Sequence, residues 1–245
     1  MRCPPSPLQS RVAILSRGES LHLRPTAPLS ERVLLPGDPG RALMLAQALL
    51  EEPRMFNHHR GLWGYTGTAP DGAAVTIQAT GMGGPSSAIV LAELIALGAR
   101  RAIRVGTCGA LAAGLELGSL VIASEAICAD GTSRALGAGE RASADGAITA
   151  ALQRAAPRAR AGAVISVDLF YDADLTRAGG ALAVEMEAAA LFALGAREGM
   201  AVGCVLAVSD TFDERGARER IGDHGLQESA EAMGRAAVAA LIDGP

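Results

Sequence analysis

Several short stretches place acid–base or anion-binding groups where an apolar run stops. In Ala102-Ile103-Arg104-Val105-Gly106 a guanidinium sits inside an otherwise apolar run. Burying it without an anionic partner is costly, and its planar fork suits a bidentate oxyanion contact. The plainer alternative is a structural arginine paired with Asp or Glu. Val184-Glu185-Met186-Glu187-Ala188 sets two carboxylates either side of a methionine. They suit the first turn of a helix, or a carboxylate gripping sugar hydroxyls while Met186 packs on the sugar. Asp210 closes a nearly all-apolar run. It reads as a cap or turn residue, or as a general acid whose proton affinity partial burial raises. Gly37, Gly83 and Gly109 would let backbone N–H groups approach an anion, although glycine after a strand is usually just a turn. Arg41, behind Gly37-Asp38-Pro39-Gly40, adds a second cation.

The elements that must position these groups follow a repeating punctuation. Arg32–Pro36 reads as a buried strand ending at Gly37-Asp38-Pro39, followed by a helix over 41–50. Val75–Ala79 is a strand ending at Gly81-Met82-Gly83-Gly84, with Pro85-Ser86-Ser87 opening a helix to Leu97; proline suits that first turn. Ala102–Val105 is expected to end at a Gly106-Thr107-Cys108-Gly109 loop, and Met200–Val208 at Ser209-Asp210. Further strands are expected over 120–127 and 161–167, and helices over 184–197 and 227–241. Leu136–Asp145 reads as an exposed loop. The alternation predicts an α/β fold: one domain with a central mixed, mostly parallel β-sheet flanked by helices on both faces. In such folds ligands bind beyond the carboxyl ends of the strands. Residues 1–20, with Pro4, Pro5 and Pro7, read as an irregular N-terminal extension, and 21–245 as the domain.

Composition narrows the chemistry. All 22 basic residues are arginine, so no lysine serves a Walker-type phosphate loop or a Schiff base. Nor does Gly81-Met82-Gly83 make a dinucleotide fingerprint, because Ser86 stands where the third glycine belongs. A net charge of −4 argues against a nucleic-acid binder. Cys3, Cys108, Cys128 and Cys204 form no CxxC pair, and with four histidines they make no ordinary zinc constellation. Cys128 and Cys204 read as reduced core residues, which suits a cytoplasmic protein. No stretch has the length of a membrane span.

Taken in order, six segments resemble the nucleoside phosphorylase family that includes hexameric bacterial purine nucleoside phosphorylases and uridine phosphorylases. They are Leu35-Pro36-Gly37-Asp38-Pro39-Gly40-Arg41, His59-Arg60-Gly61-Leu62-Trp63-Gly64-Tyr65-Thr66-Gly67, Gly81-Met82-Gly83-Gly84-Pro85-Ser86, Arg104-Val105-Gly106-Thr107-Cys108-Gly109, Val184-Glu185-Met186-Glu187-Ala188-Ala189 and Val208-Ser209-Asp210. The resemblance covers the chain from about His22 onward. It implies that Gly37, Arg41, Arg104 and Thr107 hold phosphate, with Arg60 completing that site from a neighbouring subunit. His22 would reach across the same dimer to the ribose 5′-hydroxyl, and Met186 and Glu187 would bind the ribose. Phe170 would stack on the base in a pocket lined by Cys108, Gly109, Val184 and Glu185, with Asp210 protonating a purine N7. Arg104, Glu187 and Asp210 would carry catalysis. A homo-hexamer built as a trimer of dimers is implied, with inorganic phosphate as co-substrate and no cofactor or metal.

The chain also departs from that pattern. The Gln-x-Arg uracil reader of the uridine branch has no counterpart between Phe170 and Val184, which favours the purine branch. The arginine that follows the aspartate in many purine members is displaced by an insertion in 213–224, its aligned place falling near Leu226. Arg218 or Arg220 is the available substitute. Uridine phosphorylase, a nucleosidase using water, and a binding protein without turnover remain the competing readings.

Overall fold

The computed structural model describes residue 16 and residues 18–171, 173–213 and 216–243. Most of the expected extension, and Cys3 with it, lies outside the described residues. Chain order runs β1 (Arg32–Leu35), α1 (Pro39–Leu49), β2 (Glu51–Asn57), β3 (Gly64–Thr68), β4 (Ala74–Gln78), α2 (Gly84–Leu97), β5 (Arg101–Ala110) and β6 (Leu120–Cys128). It continues with α3 (Gly131–Ala135), β7 (Arg141–Ser143), α4 (Gly146–Ala155), β8 (Arg160–Ser166), β9 (Ala183–Glu185), α5 (Ala188–Glu198), β10 (Ala201–Phe212), β11 (Arg218–Arg220) and α6 (Asp223–Asp243).

Local chemistry explains the helix starts. Asp38 accepts from the Arg41 amide at 2.6 Å and caps α1, with Pro39 in its first turn. Asp130 and Asp145 cap α3 and α4 in the same way. At the other end, Gly98 and Gly199 take the left-handed conformation that closes α2 and α5.

All the strands share one mixed sheet in the order β11-β10-β6-β8-β9-β5-β1-β4-β3-β2, with β7 on β6. β4, β1, β5 and β10 run parallel, as do β6, β8 and β9. β10 also pairs with β5, so the five strands β5, β10, β6, β8 and β9 close on themselves. Apolar layers cover both faces. Leu91 and Leu94 of α2 and Leu191 and Phe192 of α5 pack on one; Leu45 of α1, Leu152 of α4 and Met233 of α6 pack on the other.

Two expected strand ends are not ends. β5 runs through Gly106-Thr107-Cys108-Gly109, and β10 runs through Ser209-Asp210. The physical reason is their mutual ladder, which pairs Ala201↔Arg101 through Val208↔Cys108 and supplies hydrogen bonds that a turn would forfeit. The expected 184–197 helix begins only at Ala188, after β9 has joined β5 and β8. Leu136–Asp145 contains β7, and Ala142 there is buried. The sequence pattern also missed β2, β3 and β11. β2 reads Glu-Glu-Pro-Arg-Met-Phe-Asn and is exposed over its first five residues, so it has no apolar alternation to detect.

Glycine inside β10 marks a close approach. A Cβ on Gly203 would collide with the Ile148 side chain of α4. Gly203→Ala is expected to destabilise the fold by about 1–3 kcal/mol through overpacking. Urea denaturation checks this; an unchanged midpoint would mean that α4 yields freely.

Candidate active site

Arg104 is the centre of the site. It is 4% exposed, on the face of β5 that also carries Gly106 and Cys108. Its Nε donates to Glu185 Oε2 at 3.0 Å and its Nη2 pairs with Glu187 Oε2. Both alternatives the sequence left open are therefore present in one side chain: Arg104 is paired with carboxylates, yet Nη1 is buried with no hydrogen-bond partner. Nη1 lies 4.0 Å from where a Gly37 Cβ would stand. The free donor thus faces the β1–α1 turn and the cation behind it. Burial holds Arg41 below the usual arginine pKa; Asp38 opposes that, nearby Arg104 adds to it, and Glu187 opposes it. A buried guanidinium and a desolvated neighbour of like charge form a place where an oxyanion would be stabilised. A cavity of about 270 Å³ opens beside Arg41, between α1 and α6, with Leu226 on its wall.

The two carboxylates are themselves braced. Glu185 accepts from the Ser166 hydroxyl and from the Glu187 and Ala188 amides, at 2.9 and 3.0 Å. Burial pushes its pKa up, Arg104 pulls it down, and Glu187 pushes it up again. With every oxygen engaged, Glu185 faces Arg104 from the α5 N-terminus rather than presenting a free edge to a base pocket. Glu187 Oε1 accepts from the Gly83 amide at 2.5 Å, so the N–H expected to meet a ligand anion meets a side-chain carboxylate. The two glutamates together hold the Arg104 pKa above its ordinary value despite burial.

A second cluster occupies the opposite face of the same strands. Val184 registers with Gly109, and Asp210 registers with Gly109 from the other side. The β10 register shifts by one residue between Val208 and Asp210. That bulge leaves Ser209 as the extra residue and re-aims Asp210 away from the Val208 side. Asp210 Oδ2 accepts from Ser209 Oγ at 2.7 Å. Its Oδ1 is buried without a hydrogen bond. Arg218 Nε and Arg220 Nη1 each stand 3.7 Å from that oxygen, inside ion-pair range but too far for a hydrogen bond. β11 thus brings both arginines named from the sequence to one carboxylate, by pairing Arg220 with Asp210 and Arg218 with Phe212.

Phe212 was not among the sequence candidates. A Cβ on Gly109 would stand 3.0 Å from its ring and 3.2 Å from Val184. An aromatic residue two places after Asp210 in a strand was the available signal. Phe170 is 45% exposed and lies under the Arg218 guanidinium. Cys108 is buried, and burial first, then Glu185, pushes its thiol pKa up to about 12. It is therefore a neutral wall rather than a nucleophile. Met186 and Val184 pack on a small cluster of Ile127, Ile165 and Val167. Thr107 lies half-buried on β5.

His22 and Arg60 are not joined to these clusters within the chain. Arg60 is exposed in a 3-10 turn, His59–Gly61, with left-handed φ of 59°, a conformation that costs a non-glycine residue about 1 kcal/mol or more. His22 Nδ1 meets Glu93 Oε1 at 2.6 Å. Glu93, 1% exposed on α2, also accepts from the Leu23 amide at 2.7 Å and the His22 amide at 3.0 Å. Burial pushes the Glu93 pKa up, but these donors outweigh it and hold it below the usual range. Glu93 was legible only as a charged residue in an apolar helix.

The phosphorylase superfamily model matches residues 31–243. The chain is 38% identical over 197 residues to a DeoD-type purine nucleoside phosphorylase of Alkaliphilus metalliredigens, covering 75% of this chain and 84% of that protein. It is also 38% identical to the protein of that name from Caldanaerobacter subterraneus, with the same coverage, and to that of Clostridium novyi over 211 residues, 78% and 88%.

Two outcomes are expected. A Cβ on Gly106 would stand 2.6 Å from Arg104 Cζ, so Gly106→Ala should displace the guanidinium and weaken binding of inorganic phosphate or sulfate on the order of 10²-fold. Calorimetric titration reads this, and undiminished affinity would remove Arg104 from the anion site. Because Glu93 has a depressed folded pKa, its anchoring of His22 and Leu23 is present above the unfolded value of about 4.3 and lost as pH falls through the lower folded value. Hydrogen exchange at the Leu23 amide should accelerate there; protection that persists through that fall would remove Glu93 from the anchoring.

Proposed function

Because this chain belongs to the phosphorylase superfamily, we propose that it is a purine nucleoside phosphorylase. It converts a purine ribonucleoside or deoxyribonucleoside and inorganic phosphate reversibly to free base and (deoxy)ribose 1-phosphate, in nucleoside salvage. The observation that carries this is the buried Arg104 with one unpartnered nitrogen beside Gly37 and the desolvated Arg41. Relatives over most of the chain bear the same activity in their names.

The residue roles in this reading are those the family resemblance implies. Arg104, Arg41, Thr107 and the Gly37 backbone hold phosphate beneath the anomeric carbon. A phosphate oxygen forms the bond to C1′ while the bond from C1′ to the base nitrogen breaks. Positive charge that develops on the sugar is met by the anion already held there. Glu187 and Met186 position the ribose. Phe170, Val184, Cys108 and Gly109 enclose the base, and Asp210 delivers a proton to N7 as the base departs.

His22 and Arg60 belong to a neighbouring subunit's site in this reading. A homo-hexamer of dimers accounts for an exposed, conformationally strained Arg60 and for a His22 held in place by Glu93. No cofactor beyond phosphate is required. We assign the reaction to the cytoplasm, which the three free, buried cysteines among the described residues suit. No helix among the described residues is long and apolar enough to cross a membrane.

Inosine, adenosine and uridine, each assayed with and without phosphate, test the proposal. Phosphate-dependent release of purine bases is expected. Uracil release would transfer the assignment to uridine phosphorylase, and turnover without phosphate to a nucleosidase. Asp210→Asn should lower kcat by about 10²–10⁴-fold on an aminopurine nucleoside; unchanged turnover would remove Asp210 from proton transfer.

A further inference from the structure

His22 lies in no strand or helix, and Arg60 lies in a single 3-10 turn. No backbone ladder therefore sets the spacing between the two side chains assigned above to a neighbouring subunit's site. Side chains set it instead. Asn57, fully buried at the end of β2, uses its whole amide. Its Oδ1 accepts from the Arg24 amide at 2.9 Å and the His59 amide at 3.3 Å. Its Nδ2 donates to the Leu62 carbonyl at 2.5 Å and the His59 carbonyl at 3.4 Å. His59 closes the link, with Nδ1 at 2.9 Å from the His22 carbonyl oxygen. A carbonyl only accepts, so Nδ1 carries the proton, as it does in one neutral tautomer and in the imidazolium.

His22 is thus held on two sides. Glu93 takes its backbone N–H and its ring Nδ1, and His59 takes its carbonyl. Arg60 is the residue after His59, at a φ of 59°. A left-handed arginine persists only where its surroundings over-determine it, and Asn57 and the His59 ring do so here. Rotating the His59 ring or peptide would disturb the His22 segment and the Arg60 turn together. We propose that His59 is a positioning residue that fixes the spacing between His22 and Arg60. The groups assigned to the ribose 5′-hydroxyl and to phosphate are then delivered to the neighbouring site as one unit. The inference rests on the phosphorylase reading above, with both residues acting on a neighbouring subunit.

His59 is half-buried, whereas Asn57 is fully buried, so His59 is the residue to alter. His59→Leu and His59→Ala both remove the donor, and if one fails to fold the other is read. His59→Asn keeps a donor at the place of Nδ1. Phosphorolysis of inosine and of 5′-deoxyinosine is measured at varied phosphate. In the donor-free variants the kcat/KM ratio of inosine to 5′-deoxyinosine should fall and the KM for phosphate should rise. Loss of one hydrogen bond makes each change about 3- to 10-fold. His59→Asn should restore both, and adding His59→Leu to His22→Ala should leave the ratio where His22→Ala put it. An unchanged ratio, a change in one parameter alone, or equal loss on both nucleosides would overturn the proposal. So would damage in His59→Asn equal to that in His59→Leu, because ring packing would then matter rather than the bond. If His22→Ala leaves the ratio unaltered, the role of His22 fails and this inference with it. Absence of any phosphate-dependent cleavage sinks the phosphorylase reading itself.

Discussion

A buried guanidinium held between two carboxylates organises this protein. Arg104 would be intolerable in an apolar layer by itself, and Glu185 and Glu187 make it tolerable. Removing either partner of such a buried pair typically costs about 3–5 kcal/mol, so the three side chains form one unit. Their requirements spread outward. Gly106 must lack a side chain to leave room for the guanidinium. Ser166 and the first amides of α5 hold Glu185, and Gly83 holds Glu187. The two carboxylates take only two of the three guanidinium nitrogens. Pairing therefore leaves Nη1 buried, oriented and available, which is the preorganisation an anion site needs.

The same strands carry a second cluster, around Gly109. β5 carries Arg104, Gly106 and Cys108 on one side and Gly109 on the other. The bulge at Ser209 moves Asp210 onto the Gly109 side, where β9 and β11 add Val184, Phe212 and the two arginines. The groups proposed for the anion and those proposed for the base thereby follow one another along a single strand. Because five strands close on themselves, neither face can shift without disturbing the other. Rigidity of this kind suits a reaction whose barrier is lowered by position and charge rather than by covalent chemistry.

How much was legible from sequence depended on whether the signal was local. The isolated charge of Arg104 in an apolar run, the carboxylates flanking Met186, Asp210 at the end of an apolar stretch and the proline that opens α2 all lie within a few neighbouring residues. Each was identifiable because a short-range rule, such as burial cost, helix capping or proline placement, acts on adjacent side chains. The family pattern rests on the same short segments in order, and the match over residues 31–243 agrees with it. Elements with no such local signal were missed: the polar edge strand β2, and β11, whose three residues are all exposed.

By itself the sequence determined which chemical groups this protein possesses, that they belong to an α/β chain, and which family order they follow. Tertiary structure alone decided their partners. That β5 and β10 continue through their glycine and Ser-Asp segments depends on a ladder between strands about a hundred residues apart. That Glu185 and Glu187 bind Arg104, and that Arg218 stacks beside Asp210, depends on sheet closure and on a one-residue register shift. Such pairings are set by long-range hydrogen bonding and side-chain parity across strands, and no window along the chain contains both halves of them.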